Sequence, residues 1–253
     1  MQNPHDNTPL RALGPARAVR PAAVAPPGTR PRLVAGNELR HGCHELAERR
    51  LGRALVHESP QPIDGARIPR LADLFDLVQR SGNTTVGFDC ETKVSPIEPD
   101  ATLPPEEFAR KAIAEIRSAG MERRTMVQSF DWRTLQVIQK EAPEIRTMYL
   151  STPRTLAPAG RGRPSPWLAG FAPELQLGSS VPRAVHAAGG KIWAPNHQFL
   201  TPAMLAEARA LGIAVIPWTV NDPPTIVKLL DMGVDGIISD RPDLVQIELR
   251  KRR

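Results

Sequence analysis

Cysteine is nearly absent from this chain: only Cys43 and Cys90 occur among its 253 residues. Two cysteines cannot make a disulfide framework, and the sequence contains neither a C-x-x-C pair nor the Cys/His spacing of a zinc site. The redox compartment of the protein therefore stays undetermined from its cysteines.

Long apolar runs are missing as well. No stretch reaches the roughly 18 apolar residues of a membrane span. The N-terminal sequence MQNPHDNTPLRALGPARAV also lacks the apolar region of a signal peptide. These absences predict a soluble, cytoplasmic protein without a transmembrane segment; a periplasmic location would require that a signal peptide has been lost.

Lysine is scarce, with 6 lysines against 27 arginines, and the formal net charge is +6. The arginines are spread along the chain, which is typical of a solvated surface and not of a concentrated nucleic-acid footprint. We therefore expect no nucleic-acid partner. The Arg-rich N-terminus leaves a nucleic-acid-binding module as a remaining alternative.

The composition changes along the chain and predicts two regions. Residues 1–61 are rich in proline and arginine and poor in apolar runs, so we expect them to be disordered or irregular. Residues 62–253 contain apolar segments at regular intervals and are predicted to form one folded domain.

Short apolar runs alternate with amphipathic ones in this second region, which predicts six β/α units and a parallel sheet. An open sheet and a closed (β/α) barrel both fit this alternation. Polar side chains at nearly every strand end favour an α/β fold of the TIM type, where such ends converge on one face. The predicted strands are 84–90, 125–130, 146–150, 191–195, 213–218 and 235–239, and residues 153–166 are predicted to be a loop.

The stretch VGFDCETK carries three charges on one face of a predicted strand. Because side chains alternate along a strand, Asp89, Glu91 and Lys93 point away from the face that holds Phe88 and Cys90. Carboxylates beside a lysine are typical of a divalent-cation and phosphate site. An internal ion pair between Glu91 and Lys93 explains the pattern equally well.

Several segments in order resemble the glycerophosphodiester phosphodiesterase family. They are VGFDCETK, VQSFDWRTLQVIQKEAPEIRTMYL, PWLAGF, IWAPNHQFLTP, GIAVIPWTVND and GVDGIISDRPD, and the resemblance extends from about Pro62 to Arg250. It implies a (β/α) barrel enzyme of bacterial lipid and glycerol metabolism. Such an enzyme hydrolyses a small-molecule glycerophosphodiester to glycerol 3-phosphate and an alcohol with a divalent cation, Ca²⁺ or Mg²⁺.

The resemblance also implies roles for individual residues. Glu91 matches the metal-ligand glutamate of the family, and Asp89 is inferred to be a second ligand. The implied substrate-binding residues are Lys93 at the phosphate, Trp218 at the glycerol, and Gln128 and Ser129 along the pocket. For Trp218 a place in the core of the barrel mouth, and for Ser129 a structural hydrogen bond, remain alternatives.

The catalytic histidine motifs of the family, HRG...PENT and a later HD, are not found, so no catalytic residue is assigned. One hypothesis is that residues 1–61 are translated out of frame or from a wrong start. Another is that the chain is an inactive family member that binds a phosphodiester without turnover. Six β/α units cannot close an eight-stranded barrel, so the open edge needs covering by the N-terminal segment or by another chain.

Overall fold

The computed structural model describes residues 69–158, 163–171 and 180–252, together with the backbone of two strand segments nearer the N-terminus. The strands are β1 (Val19–Arg20), β2 (Arg32–Ala35), β3 (Phe88–Glu91), β4 (Thr125–Ser129), β5 (Arg146–Ser151), β6 (Ile192–Pro195), β7 (Ala214–Val215) and β8 (Gly236–Ser239). The α-helices are α1 (Leu71–Arg80), α2 (Pro105–Ser118), α3 (Trp132–Glu141), α4 (Pro153–Leu156), α5 (Val181–Ala187), α6 (Pro202–Ala210), α7 (Pro223–Met232) and α8 (Pro242–Arg250).

The predicted alternation of strands and helices is confirmed from β3 to β8, and helix caps set several of the boundaries. Thr201 accepts a hydrogen bond from the amide of Met204 at the start of α6, and Asp222 accepts one from Thr225 at the start of α7. The predicted loop 153–166 is wrong at its beginning, because the one-turn helix α4 starts there under the cap of Thr152. Residues 159–162 lie outside the described part.

Strand β3 begins later than predicted for a local reason. The side-chain oxygen of Asn83 accepts hydrogen bonds from the amides of Thr85 (2.9 Å) and Val86 (2.9 Å). The carbonyl oxygen of Val86 in turn accepts a hydrogen bond from the guanidinium of Arg124 at 2.7 Å. These backbone groups are engaged by side chains and do not enter the sheet ladder, so the regular strand starts at Phe88.

Five strands pair in parallel in the order β3-β4-β5-β6-β7. Strand β8 continues this row, because the amide of Ile238 donates to the carbonyl of Pro217 (2.9 Å) and the amide of Val220 donates to the carbonyl of Ile238 (3.0 Å). Strands β3 to β8 therefore form the parallel α/β arrangement that the sequence predicts.

Both ends of this row are covered by strands from the N-terminal region. Strand β1 pairs antiparallel with β3, and β2 pairs parallel with β8. This agrees with the expectation that the N-terminal segment covers the open edge. The expected domain boundary near residue 62, and the expected irregularity of most of residues 1–61, lie outside the described residues and stay predictions.

The two faces of the sheet carry different groups of buried side chains. The outward face packs on the helices through Phe88, Cys90, Val127, Tyr149, Trp193, Val215 and Ile237. The inward face holds a separate apolar cluster of Met126, Met148, Leu150, Ile192, Ala194, Ile216 and Ile238. The inward cluster joins residues of β4 to β8, so the sheet curves around it as in a barrel interior.

No helix within the described residues combines the length and the apolar character that crossing a bilayer requires.

Gly190 permits a close approach between α5 and the sheet. A Cβ atom at this position would lie 2.6 Å from Cγ1 of Val185 and 2.8 Å from the ring of Tyr149. We expect Gly190→Ala to lower the free energy of unfolding by about 1–3 kcal/mol, because overpacking forces such neighbours apart. Urea denaturation measures this loss.

Val185→Ala supplies the control for this variant, because it removes one of the two clashing groups. The double variant should lose less stability than the sum of the single variants. An unchanged urea midpoint for Gly190→Ala would contradict this prediction and show that α5 shifts to admit the methyl group without loss of unfolding free energy.

Candidate functional site

The polar residues at the strand ends gather at one edge of the sheet, because the carboxyl ends of parallel strands lie on the same side. We call this edge the mouth. Its described polar and aromatic residues are Glu91, Lys93, Gln128, Phe130, Asn196, Trp218, Asn221, Ser239 and Asp240.

An ion pair occupies the carboxyl end of β3. The Nζ atom of Lys93 lies 2.5 Å from Oε1 of Glu91. The carboxylate side chain is only 6% exposed, whereas that of the lysine is 47% exposed. A nearly buried carboxylate is stable only beside a compensating cation, and Lys93 supplies one. The internal ion pair expected as one alternative is therefore present, and it lies at the mouth.

Gln128 is the neighbour of Glu91 on β4, since the two residues are partners in the parallel register. Its side chain is buried, and its Oε1 atom has no hydrogen-bond partner among the described residues. A buried acceptor without a donor costs about 1–3 kcal/mol. The amide oxygen beside Glu91 is therefore suited to receive a donor or a cation from a ligand.

Asp89 lies deeper than Glu91, by two residues along β3, and is fully buried. Its register partner Met126 is in turn the partner of Arg146, so the three residues follow one line across the amino end of the sheet. Burial lowers the pKa of Arg146, and the charge of Asp89 opposes this shift. The charge of Asp89 thus interacts with that of Arg146, which lies at the amino end of the sheet, away from the mouth. The role of Asp89 as a metal ligand stays a prediction.

Ser129 points away from the mouth, to the outward face shared with Val127. It is fully buried, and its hydroxyl donates to the carbonyl of Thr92 (2.9 Å) and accepts from the amide of Asp131 (3.1 Å). These bonds tie the end of β3 to the beginning of α3. The geometry favours the structural alternative for Ser129 over contact with substrate.

Trp218 and Phe130 form an aromatic wall at the mouth. Their ring centroids are 5.4 Å apart at an interplanar angle of 81°, an edge-to-face arrangement. The indole Nε1–H of Trp218 donates to the carbonyl of Ala194 at 2.7 Å, which fixes the ring over the inward apolar cluster. Both rings are partly exposed and offer an apolar surface at the mouth. Phe130 was not among the residues predicted from the sequence, although its side chain lies on the inward side with that of Gln128, two residues earlier.

A hydrogen-bond network holds the ends of β7 and β8 together. The amide of Asn221 donates to the carboxylate of Asp240 (3.1 Å), and its Oδ1 accepts from the backbone of Asp240 (2.8 Å) and the hydroxyl of Ser239 (3.2 Å). All polar atoms of the Asn221 side chain are engaged in this way. The network fixes the rim of the mouth without using a charged pair.

The described part of the chain contains two histidines, His186 and His197. His186 is exposed on α5. His197 follows β6 and donates its backbone amide to the carbonyl of Trp218 (2.9 Å). Burial lowers the pKa of His197, and its charged neighbours Asp222 and Lys228 are the cap and a residue of α7.

The oxygen atoms at the mouth fit a divalent cation that is held jointly with water and a ligand. Among the residues described, no group of three or more His, Cys, Asp or Glu side chains is placed to hold a metal ion. Glu91 and Gln128 nevertheless present hard oxygen atoms, and the ammonium beside Glu91 shows that the position accepts a cation. Mg²⁺ is often bound in this way, through one or two carboxylates with waters and substrate phosphate.

Comparison with known proteins gives a consistent family. Residues 38–244 match the profile of the glycerophosphoryl diester phosphodiesterase family. A glycerophosphodiester phosphodiesterase of Caldanaerobacter subterraneus is 25% identical over 187 residues, which are 74% of this chain and 64% of that protein. A Mycobacterium tuberculosis protein named glycerophosphodiester phosphodiesterase 2 is 49% identical over 47 residues, 19% of this chain and 18% of its own.

A solved structure agrees with the sequence matches. The crystal structure of a Silicibacter pomeroyi protein, named as a glycerophosphoryl diester phosphodiesterase, is similar with a TM-score of 0.60 and 34% identity. The similarity covers 73% of this chain and 57% of that structure. The chain therefore spans less than two thirds of the length of these relatives.

Proposed function

The chain belongs to the glycerophosphoryl diester phosphodiesterase family, and from this membership we propose that it hydrolyses glycerophosphodiesters to sn-glycerol 3-phosphate and an alcohol. The observation that carries the proposal is the Glu91–Lys93 pair at the carboxyl end of β3. In this pair the carboxylate of Glu91, which can bind a cation, lies beside the ammonium of Lys93, which can bind a phosphate, and both lie at the mouth. The reaction belongs to the breakdown of lipid-derived glycerophosphodiesters.

The two sides of the mouth orient such a substrate. Lys93 offsets the charge of the phosphodiester on the side of β3. Trp218 and Phe130 pack the carbon chain of the glycerol at the aromatic wall, above an apolar floor formed by the inward cluster. A small molecule with one anionic end and one apolar end fits this division of charge.

Members of this family generally depend on a divalent cation, and we assign Ca²⁺ or Mg²⁺ to the side of Glu91. When bound, the cation supplies a positive charge that stabilises the phosphoryl oxygens. Glu91 provides the carboxylate ligand and Gln128 an amide oxygen beside it. Further oxygen ligands come from water and from the substrate.

Hydrolysis adds a water oxygen to phosphorus and breaks the bond from phosphorus to the alcohol oxygen. The water loses a proton, and the leaving alcohol gains one. The histidine motifs of the family, HRG...PENT and a later HD, are not found in the sequence. This observation favours a second candidate function, in which the protein binds a phosphodiester without turnover.

The described arginines give no support to a nucleic-acid-binding function. Several of them pair with carboxylates on the surface, at distances of 2.6–2.8 Å: Arg110 with Glu141, Arg117 with Glu144, Arg183 with Glu207, and Arg241 with Asp243. Such pairs are typical of a solvated surface.

Purified protein with glycerophosphocholine separates the two functions. We expect release of sn-glycerol 3-phosphate in the presence of Ca²⁺ or Mg²⁺, and loss of the release with a chelator, because the phosphoryl charge needs a cation. An enzyme-coupled assay for sn-glycerol 3-phosphate measures the product. Absence of product together with measurable binding of sn-glycerol 3-phosphate would support the binding protein instead.

A further inference from the structure

The Glu91–Lys93 pair has unequal burial. The side chain of Glu91 is nearly enclosed, at 6% exposure, whereas that of Lys93 is half exposed and is held by the 2.5 Å contact of its Nζ atom with Oε1 of Glu91. An enclosed carboxylate requires a cation beside it. The half-exposed ammonium, in contrast, is readily hydrated and can leave at little cost.

The surroundings of Glu91 favour a divalent cation over the ammonium. Oε1 of Gln128, the register partner of Glu91, is buried and has no hydrogen-bond partner within the described residues even though the ammonium of Lys93 is close to Glu91. The ammonium thus satisfies the carboxylate and leaves the amide oxygen unused. A divalent cation, which takes six or more oxygen ligands, would use both.

We propose that Lys93 is an exchangeable counter-ion of Glu91: its ammonium holds the cation position while the site is empty, leaves when a divalent cation binds, and then contacts the phosphate of the ligand. The identity of this ligand rests on the proposed function. In this exchange Glu91 is never without a cation, and Lys93 is freed for the phosphate only when the cation is present.

The exchange couples the two ligands. Binding of a divalent cation releases Lys93 for the phosphate, and binding of phosphate to Lys93 clears Glu91 for the cation. By linkage, each ligand raises the affinity for the other by the same factor. Competition with Lys93 also weakens cation binding when no phosphate is present.

Chemical modification of lysines in the full chain tests the exchange directly. With acetic anhydride and mass spectrometry, we expect Mg²⁺ to raise the modification rate of Lys93 about threefold, since a partly exposed ion pair protects by roughly that factor. Addition of sn-glycerol 3-phosphate should lower the rate again. Lys111 of α2, whose exposed side chain lies 3.9 Å from that of Glu107, is the internal control and should not respond. A rate for Lys93 that Mg²⁺ leaves unchanged would overturn the proposal.

Binding of Mg²⁺ followed by calorimetry gives a second readout. Lys93→Met removes the competing charge, so we expect it to bind Mg²⁺ about tenfold more tightly than the unaltered chain and Lys111→Met to bind it equally. Equal affinities for the unaltered chain and Lys93→Met would contradict the exchange. Neither readout requires turnover: hydrolysis without exchange would refute only this proposal, and exchange without hydrolysis would refute only the proposed activity.

Discussion

Glu91→Gln is expected to lower the rate of glycerophosphocholine hydrolysis by about 10²–10³-fold, the range found when one group that stabilises transition-state charge is removed. The amide keeps the shape of the side chain and loses its charge. Without that charge the cation position beside Gln128 loses the carboxylate at the carboxyl end of β3. The rate of sn-glycerol 3-phosphate release at saturating Mg²⁺ measures the effect.

The stability of this variant should change little. The partner ammonium of Lys93 is 47% exposed and is hydrated when it loses its carboxylate. Glu107→Gln, which removes the carboxylate of the exposed pair with Lys111, is the matched control and should keep full activity. If Glu91→Gln retained the rate of the unaltered chain, the cation would have to be held elsewhere and the proposed site would be wrong.

The fold was predictable where the sequence repeats a local signal. Helices α2, α3 and α7 follow from apolar spacing and from caps such as Asp222, and the parallel sheet follows from the alternation of strands and helices. Strands β1 and β2 carry no such signal. With two and four residues they are too short for a readable alternation, and they are defined by the edges of β3 and β8 that they pair with.

The site was predictable to the extent that it depends on one strand. Alternation along β3 places Glu91 and Lys93 on one side, as the structure has them. Alternation along β4 likewise puts Gln128 and Ser129 on opposite faces of the sheet, although both were predicted to line the pocket. Phe130 was not predicted because the ring it contacts, Trp218, belongs to a distant segment and reaches it only through the curvature of the sheet.

Depth within the sheet was the property that sequence did not reveal. Asp89 and Glu91 look equivalent in the sequence, since both are carboxylates on the same side of a strand. In the structure Glu91 lies at the mouth beside Lys93, and Asp89 lies one layer deeper in the field of Arg146. The difference arises from where the neighbouring strands start, because the register with β4 and β5 determines which side chains share a layer.

Trp132→Ala is expected to cause the largest loss of stability, about 3–5 kcal/mol of unfolding free energy. The side chain is fully buried at the start of α3 and contacts the ring of Tyr149 edge-to-face at a centroid distance of 4.9 Å. Its indole Nε1–H also donates to the carbonyl of Leu150 at 3.1 Å. Removing it leaves a cavity between α3 and β5 and breaks the bond that joins them. Urea denaturation measures the loss.

Two further variants separate the contributions of packing and hydrogen bonding. Trp132→Phe keeps most of the buried ring and loses the Nε1–H bond, so we expect a loss of about 1 kcal/mol. Trp167→Ala removes an indole that is only partly buried and should cost less than Trp132→Ala.

Because α3 directly follows the end of β4 that carries Gln128 and Phe130, Trp132→Ala should also weaken binding of sn-glycerol 3-phosphate. If Trp132→Ala unfolded at the same urea concentration as the unaltered chain, the helix layer would have filled the cavity without loss of unfolding free energy.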